Sequence, residues 1–63
     1  MFKYKIDLYA VDQKGKIIME PRRQECIAFT KNAAIHKCME DISKAKNISV
    51  NTLRILNVKK SLF

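Results

Sequence analysis

The sequence is poor in the residues that build nucleotide and metal sites. It contains one glycine, Gly15, and one histidine, His36, among 63 residues. Loops that cradle phosphates need several glycines, and neither G-x-x-x-x-G-K nor G-x-G-x-x-G occurs. Cys26, His36 and Cys38 offer at most three metal ligands, and His36 and Cys38 would lie about 200° apart around a helix. We therefore expect no nucleotide site, no metal site and no cofactor.

Catalytic groups are also missing. Cys38 falls in the apolar stripe of a predicted helix, where a free thiol behaves as a small hydrophobic side chain. A cysteine nucleophile would need a base, an orienting group and an oxyanion site together. Glu40 and Asp41 are adjacent on the same helix, so their carboxylates diverge and do not form a general acid–base pair. The sequence predicts a protein that is not an enzyme.

Long apolar runs are absent as well. The chain begins Met1-Phe2-Lys3-Tyr4-Lys5, without the apolar segment of a secretory signal or a membrane span. We expect a cytoplasmic protein with no membrane contact. In that reducing setting Cys26 and Cys38 are expected as free thiols, although a disulfide between strand and helix is geometrically possible.

Positive charge is what the chain has in excess. Lys and Arg number 13 against 6 Asp and Glu, which gives a formal net charge of +7 at pH 7. This charge favours polyanions, of which nucleic acid is the commonest in cells. Small soluble domains also carry lysine for solubility, and here the basic residues are spread over every predicted element. Charge therefore indicates a class of partner and does not fix a function.

The apolar pattern predicts a single domain over residues 1–63, since a chain of this length holds one core. Residues 2–11 alternate as a half-buried strand, residues 12–15 supply a turn, and residues 16–20 read as the return strand. Pro21 interrupts that strand. Residues 25–29 either continue it beyond a bulge or form a third strand, and the pattern leaves this choice open. The side chains expected on one face of the first strand are Phe2, Tyr4, Ile6, Leu8 and Ala10.

One helix and a last strand complete the prediction. Thr30 is a good N-cap, residues 31–46 have helical spacing, and Asn47 suits a left-handed C-terminal position. Residues 50–60 form the last strand, whose apolar residues on both faces indicate either a central strand or a bulge near Ile55-Leu56. The apolar stripe of the helix comprises Ala34, Ile35, Cys38, Met39, Ile42 and Ala45.

The predicted fold is α+β, a small and mainly antiparallel sheet of three or four strands with one amphipathic helix packed on one face. The order of elements is β-β-(β)-α-β. Among the aromatic residues Phe29 is expected in the core and Tyr9 outside it. The terminal pair Leu62-Phe63 is expected to fray or tuck against the core, with anchoring of a partner as the alternative.

The candidate site is the sheet face away from the helix. If the first and last strands are neighbours, we expect Lys3, Lys5, Arg54 and Lys60 to share that face, with Tyr9 available to stack on a base. Arg22 and Arg23 are the strongest candidates for phosphate contact because their guanidinium groups are forked. The predicted nucleic-acid-binding residues are Lys3, Lys5, Tyr9, Lys14, Lys16, Arg22, Arg23, Arg54, Lys59 and Lys60.

Two stretches resemble families that contact nucleic acid. The segment from Tyr4-Lys5-Ile6 to Gly15-Lys16, followed by Phe29-Thr30-Lys31-Asn32-Ala33, resembles the arm-site DNA-binding module of phage and transposon integrases. The acidic residue that precedes the alanine in that family is missing here. Residues 25–59 are similar in layout to the archaeal LX-type ribosomal protein, with Ser43-Lys44-Ala45-Lys46 in place of its Gly-Ser-x-His turn. Both resemblances imply contact with nucleic acid.

The sequence thus favours non-catalytic binding of DNA or RNA through a sheet face and the Arg22-Arg23 segment. The alternative is a protein of a phage or mobile element that binds and modulates an acidic host protein through an exposed strand edge or hairpin. A structural role in a ribonucleoprotein, and a homodimer formed through an edge strand or Leu62-Phe63, remain open.

Overall fold

Strand β1 (Phe2–Val11) lies at the centre of the structure because it pairs on both sides. The computed structural model describes residues 1–62, with side-chain burial for residues 1–61. The other elements are β2 (Ile17–Ala28), α1 (Lys31–Lys46), a short 3-10 helix (Val50–Thr52) and β3 (Leu53–Leu62). The strand order is β2-β1-β3 with both pairs antiparallel, and α1 covers one face of the sheet, mainly over β2. The predicted α+β fold is confirmed, with three strands.

The core lies between α1 and one face of the sheet. Alternation along β1 buries Tyr4, Ile6, Leu8 and Ala10, each at most 2% exposed, as the sequence predicted. Burial of apolar surface is the main favourable term in folding. Because no second layer of described residues packs on the other face of the sheet, this burial occurs at the interface with α1. The remaining buried residues are Met19, Cys26, Ala34, Cys38, Ile42 and Leu53.

Strand β2 continues past Pro21, which settles the choice that the sequence left open. Register shifts between Leu8 and Val11 show that β2 bulges on both sides of Met19. Pro21 lies in one of these bulges, where its missing N–H removes no regular ladder hydrogen bond. In the turn before β2, Gly15 has a φ of 86°, a left-handed conformation that other residues adopt only with strain.

Strand β3 contains the bulge that its mixed pattern suggested. Asp7 of β1 pairs with Asn57 and Leu8 pairs with Ile55, so Leu56 is the extra residue. The bulge returns Leu53, Ile55 and Val58 to the helix side, while Leu56 is 56% exposed. The alternative of a central last strand was wrong, since β3 is an edge.

Helix α1 has the predicted bounds and caps. The Thr30 hydroxyl accepts a hydrogen bond from the Ala33 N–H at 3.1 Å, and Asn47 closes the helix at φ 56°, ψ 47°. Ala34, Cys38 and Ile42 are buried, whereas Ala45 is exposed and is not part of the packed stripe.

The left-handed cap at Asn47 gives a stability prediction. We expect Asn47→Ala to lower the free energy of unfolding by about 1 kcal/mol, because alanine lacks the short polar side chain whose local hydrogen bonds let asparagine adopt the left-handed conformation. Asn47→Gly, which has no Cβ and adopts this conformation without strain, should stay within about 0.5 kcal/mol of the wild type. Urea denaturation followed by circular dichroism measures both, and equal losses in the two variants would contradict the argument.

The aromatic prediction was wrong at Phe29, whose side chain is 72% exposed. Phe29 lies one residue beyond β2, and by continued alternation its side chain points away from the helix. Nothing from α1 or β1 covers it there. The prediction for the side chains of Leu62 and Phe63 lies outside the described residues.

Candidate nucleic-acid interface

The sheet face opposite α1, here called the open face, carries the candidate site. Cross-strand partners in an antiparallel sheet project on the same side, so the register fixes its members. In β1 they alternate with the buried residues, and β2 and β3 contribute their partners. The members are Lys3, Lys5, Asp7, Tyr9 and Val11 from β1, Ile17, Arg23, Glu25 and Ile27 from β2, and Arg54, Asn57, Lys59 and Ser61 from β3.

Two ion pairs neutralise the β2 side of the open face. Arg23 donates from Nε to Asp7 Oδ1 at 2.9 Å and from Nη2 to Asp7 Oδ2 at 3.3 Å. The hydrogen bond from Arg23 holds the pKa of Asp7 below its ordinary value. Lys3 Nζ lies 3.2 Å from Glu25 Oε1. Arg23 and Lys3 are therefore partly engaged inside the protein and are weaker candidates for phosphate than their charge alone indicated.

The two remaining lysines of the open face are not neutralised. Lys5 and Lys59 lie directly opposite each other on β1 and β3. Neither ammonium group forms an ion pair within the described residues, and Glu25, the other neighbour of Lys5, turns to Lys3. Like charges directly opposite in a sheet are destabilising. An anion placed between them would remove that repulsion.

Tyr9 and Arg54 lie near the other end of the β1–β3 pair, on the same face as Lys5 and Lys59. They are opposite each other, and Tyr9 is half-buried. Arg54 Nη1 donates to the carbonyl oxygens of Asn51 at 2.7 Å and Leu53 at 2.9 Å, which fixes the guanidinium beside the start of β3. Four residues of extended β1 separate Tyr9 from Lys5, or about 13 Å. Lys5, Lys59, Tyr9 and Arg54 together are called the β1–β3 track.

Two predicted site residues lie on the helix side. Lys60 is opposite Tyr4, and its Nζ lies 4.2 Å from the centre of the Phe2 ring. Arg22 is opposite Leu8, whereas Arg23 is opposite Asp7, so the two arginines point to different faces. The expected sharing of the open face by Lys60 was wrong because neighbouring residues of a strand alternate. For the same reason Arg22 and Arg23 do not form one phosphate clamp.

Lys14 and Lys16 lie at the turn beyond the Tyr9 end of the sheet. Their backbone N–H groups each donate to Asp12 Oδ1 at 2.9 Å, which orders the turn. Their side chains are exposed. Asp12 and Arg54 line a common surface depression, so this turn adjoins the end of the β1–β3 track. The two lysines extend its positive charge by one turn.

Several features of the open face escaped sequence reasoning. Asp7 and Glu25 pair with predicted cations, which follows only from the strand register. Asn57 and Ser61 add uncharged hydrogen-bonding groups beside Lys59. Leu56 and Pro21 line a surface depression together with Asp7, Arg22 and Arg23, and the exposure of Leu56 depends on the bulge. Alternation in β1 already placed Asp7 beside the lysines, which was the one available signal.

The thiols and acids form no second site. Cys26 and Cys38 are both free and buried, and burial raises the pKa of Cys38 to about 11. Within residues 1–62 no group of three His, Cys, Asp or Glu side chains is placed to hold a metal ion. His36 is exposed, with Nε2 3.7 Å from Glu40 Oε2.

The raised pKa of Cys38 has a measurable consequence. At pH 8 the thiolate fraction of Cys38 should be about 100-fold smaller than that of an ordinary cysteine, because its pKa is raised. Only the ionised thiol is nucleophilic, so alkylation should be slower by a similar factor. In a Cys26→Ser background, we expect iodoacetamide to alkylate native Cys38 at least that much more slowly than in urea. Equal rates in the two conditions would show that the thiol is neither buried nor shifted.

No helix among the described residues combines the length and the hydropathy that a membrane crossing requires. No protein-family model, curated protein or solved structure matches this chain. The two family resemblances seen in the sequence gain no support from these comparisons.

Proposed function

We propose that this protein binds nucleic acid, without catalysis, through the β1–β3 track on the open face. The observation that carries the proposal is the unneutralised Lys5–Lys59 pair at the middle of the exposed sheet. A fold gains nothing from two opposed ammonium groups, whereas a phosphate between them gains two charge-assisted hydrogen bonds. The +7 net charge adds a long-range attraction of the same sign.

The distribution of acids orients the bound strand. Glu25 and Asp7 carry the negative charge of the open face, and each is paired with a cation across the β1–β2 ladder. The β2 side therefore has little net charge to attract phosphate, and a phosphate backbone is favoured along β3. In this orientation Lys5 and Lys59 contact phosphate, while the Tyr9 ring lies about 13 Å further along and can stack on a base.

Fluorescence anisotropy of labelled oligonucleotides tests the proposal. Single-stranded RNA, single-stranded DNA and duplex DNA would each be titrated at about 50 mM and about 200 mM salt. We expect micromolar binding of at least one polymer at the lower salt. Neutralising three phosphates by Lys5, Lys59 and Arg54 gives a slope of log K against log salt of about −2 for single strands and about −2.7 for a duplex.

Absence of binding to all three polymers at the lower salt would refute the proposal. An acidic protein partner would then account better for the net charge. Binding with a slope near zero would refute it too, because contacts with phosphate release counterions in proportion to their number. The comparison of three polymers also establishes whether DNA or RNA is the better ligand.

A further inference from the structure

Strand β2 presents a long free edge. It pairs only with β1, and from Arg22 to Ala28 its register is regular, with no bulge. Natural proteins protect such edges with proline, lysine or bulges, since a row of unpaired N–H and C=O groups recruits another strand. Pro21 and its bulge protect only the part of β2 that precedes Arg22. The edge of β3, in contrast, carries the Leu56 bulge and two lysines, Lys59 and Lys60.

The helix does not cover this edge. A surface cleft follows it, lined by Lys3, Glu25 and Ile27 from the sheet and by Lys37 and Asp41 from α1. The open face and the helix side both contribute, so the cleft straddles the backbone of β2. An added strand can reach the edge there without displacing α1.

We infer that this free edge pairs with the same edge of a second copy of the chain. A twofold axis perpendicular to the sheet keeps both open faces on one side, so odd-numbered positions of the segment oppose odd-numbered positions. An axis at Arg23 opposes two arginines, and an axis at Glu25 opposes two glutamates. An axis at Gln24 instead places Arg23 of each copy opposite Glu25 of the other.

The Gln24-centred register extends a charge pattern that already exists within one chain. Lys5 is opposite Glu25, and Arg23 is opposite Asp7. Joining the two edges gives a row Lys5, Glu25, Arg23, Asp7 over four adjacent strands, the last two residues from the second copy. The sign alternates at every step, which is the favourable arrangement of cross-strand neighbours. Symmetry produces this row twice.

The helix side is complementary in the same register. Arg22 of one copy falls opposite Cys26 of the other. Cys26 and Asp41 line the same cleft, so the guanidinium of the added strand is brought to the Asp41 carboxylate. The edge segment of β2 thus carries positive and negative side chains at positions that face each other in this register. This self-complementarity favours a second copy of the chain over an unrelated strand as the partner of the edge. The inference does not depend on nucleic-acid binding.

Sedimentation equilibrium and site-specific crosslinking test this dimer. The mass of the wild type is expected to rise from 7.3 kDa toward twice that value as the concentration increases from about 10 µM to about 1 mM. Gln24→Cys places two thiols directly opposite across the axis, with Cβ atoms about 5 Å apart, so oxidation should crosslink the copies. Ile27→Cys is the matched control, because its two thiols would lie about 20 Å apart.

Each outcome decides the inference. Dimerisation with crosslinking through Gln24→Cys alone supports it. A wild type that stays monomeric over the whole range overturns it, and that result needs no variant to fold. A dimer in which Ile27→Cys crosslinks as readily as Gln24→Cys, or in which neither does, overturns it as well, since another surface or register would then form the contact.

Discussion

Replacing both Lys5 and Lys59 by glutamine is expected to weaken nucleic-acid binding by roughly 25- to 60-fold at about 0.1 M salt. Each lost phosphate contact reduces the slope of log K against log salt by about 0.7 for single strands or about 0.9 for a duplex. At 0.1 M salt that corresponds to a factor of about 5 to 8 per lysine. Anisotropy titrations over a salt series measure the affinity and the slope in one experiment.

The same substitutions should leave the fold intact or strengthen it. Lys5 and Lys59 are directly opposite, and neither is paired with an acid in the part of the chain that the structure describes. Removing this repulsion is expected to raise the free energy of unfolding by a few tenths of a kcal/mol. A loss of affinity together with unchanged or higher stability separates a binding role from a structural one.

A matched control places the same charge change elsewhere. Lys31 and Lys46 are exposed on α1, away from the open face. The Lys31→Gln/Lys46→Gln variant lowers the net charge from +7 to +5, as the open-face variant does. We expect less than about a threefold loss of affinity in this control, because its lysines act only through the long-range field. Equal losses in the two double variants would contradict a site on the β1–β3 track.

The central strand and the helix were predictable because their patterns are local. Alternation over β1 specifies which side chains enter the core without knowledge of any partner strand. Thr30 marks the start of the helix through its side-chain hydroxyl, and Asn47 marks its end through a left-handed backbone conformation. Both elements appear with the bounds expected from the sequence, residues 2–11 and 31–46.

The candidate site was less predictable because it depends on register. Whether Lys59 or Lys60 joins Lys5 is decided by the Leu56 bulge, which shifts the facing of β3 by one residue. The mixed pattern of β3 was compatible with a bulge and with a central strand. Only the pairing with β1 distinguishes them, and that is a contact between residues about 50 positions apart.

Ion pairing on the open face was hidden for a related reason. Arg23 meets Asp7 from the other strand of the hairpin, and the bulge at Pro21 intervenes in the count between them. A register one residue different would have placed Arg22 instead of Arg23 on the open face. Charge composition therefore overstated the number of free cations at the site, and strand pairing reduced it to the β1–β3 track and the adjoining turn.

Leu8→Ala is expected to be severely destabilising. Leu8 is fully buried in the central strand, between β2, β3 and α1. Truncating a buried leucine in a packed core costs about 2.7–5 kcal/mol, from lost transfer energy and the cavity left behind. A domain of 63 residues has a total stability of only about 3–9 kcal/mol. We therefore expect Leu8→Ala to be largely unfolded at 25 °C, as seen by circular dichroism and urea denaturation.

Leu56→Ala is the matched control, because it makes the same chemical change in the same sheet. Leu56 is 56% exposed at the β3 bulge, so its truncation should change the free energy of unfolding by less than about 0.5 kcal/mol. The contrast tests the position of the bulge as well as the core. If β3 paired one residue out of register, Leu56 would enter the core and Ile55 would leave it. Leu56→Ala would then be the severe variant and Ile55→Ala the mild one.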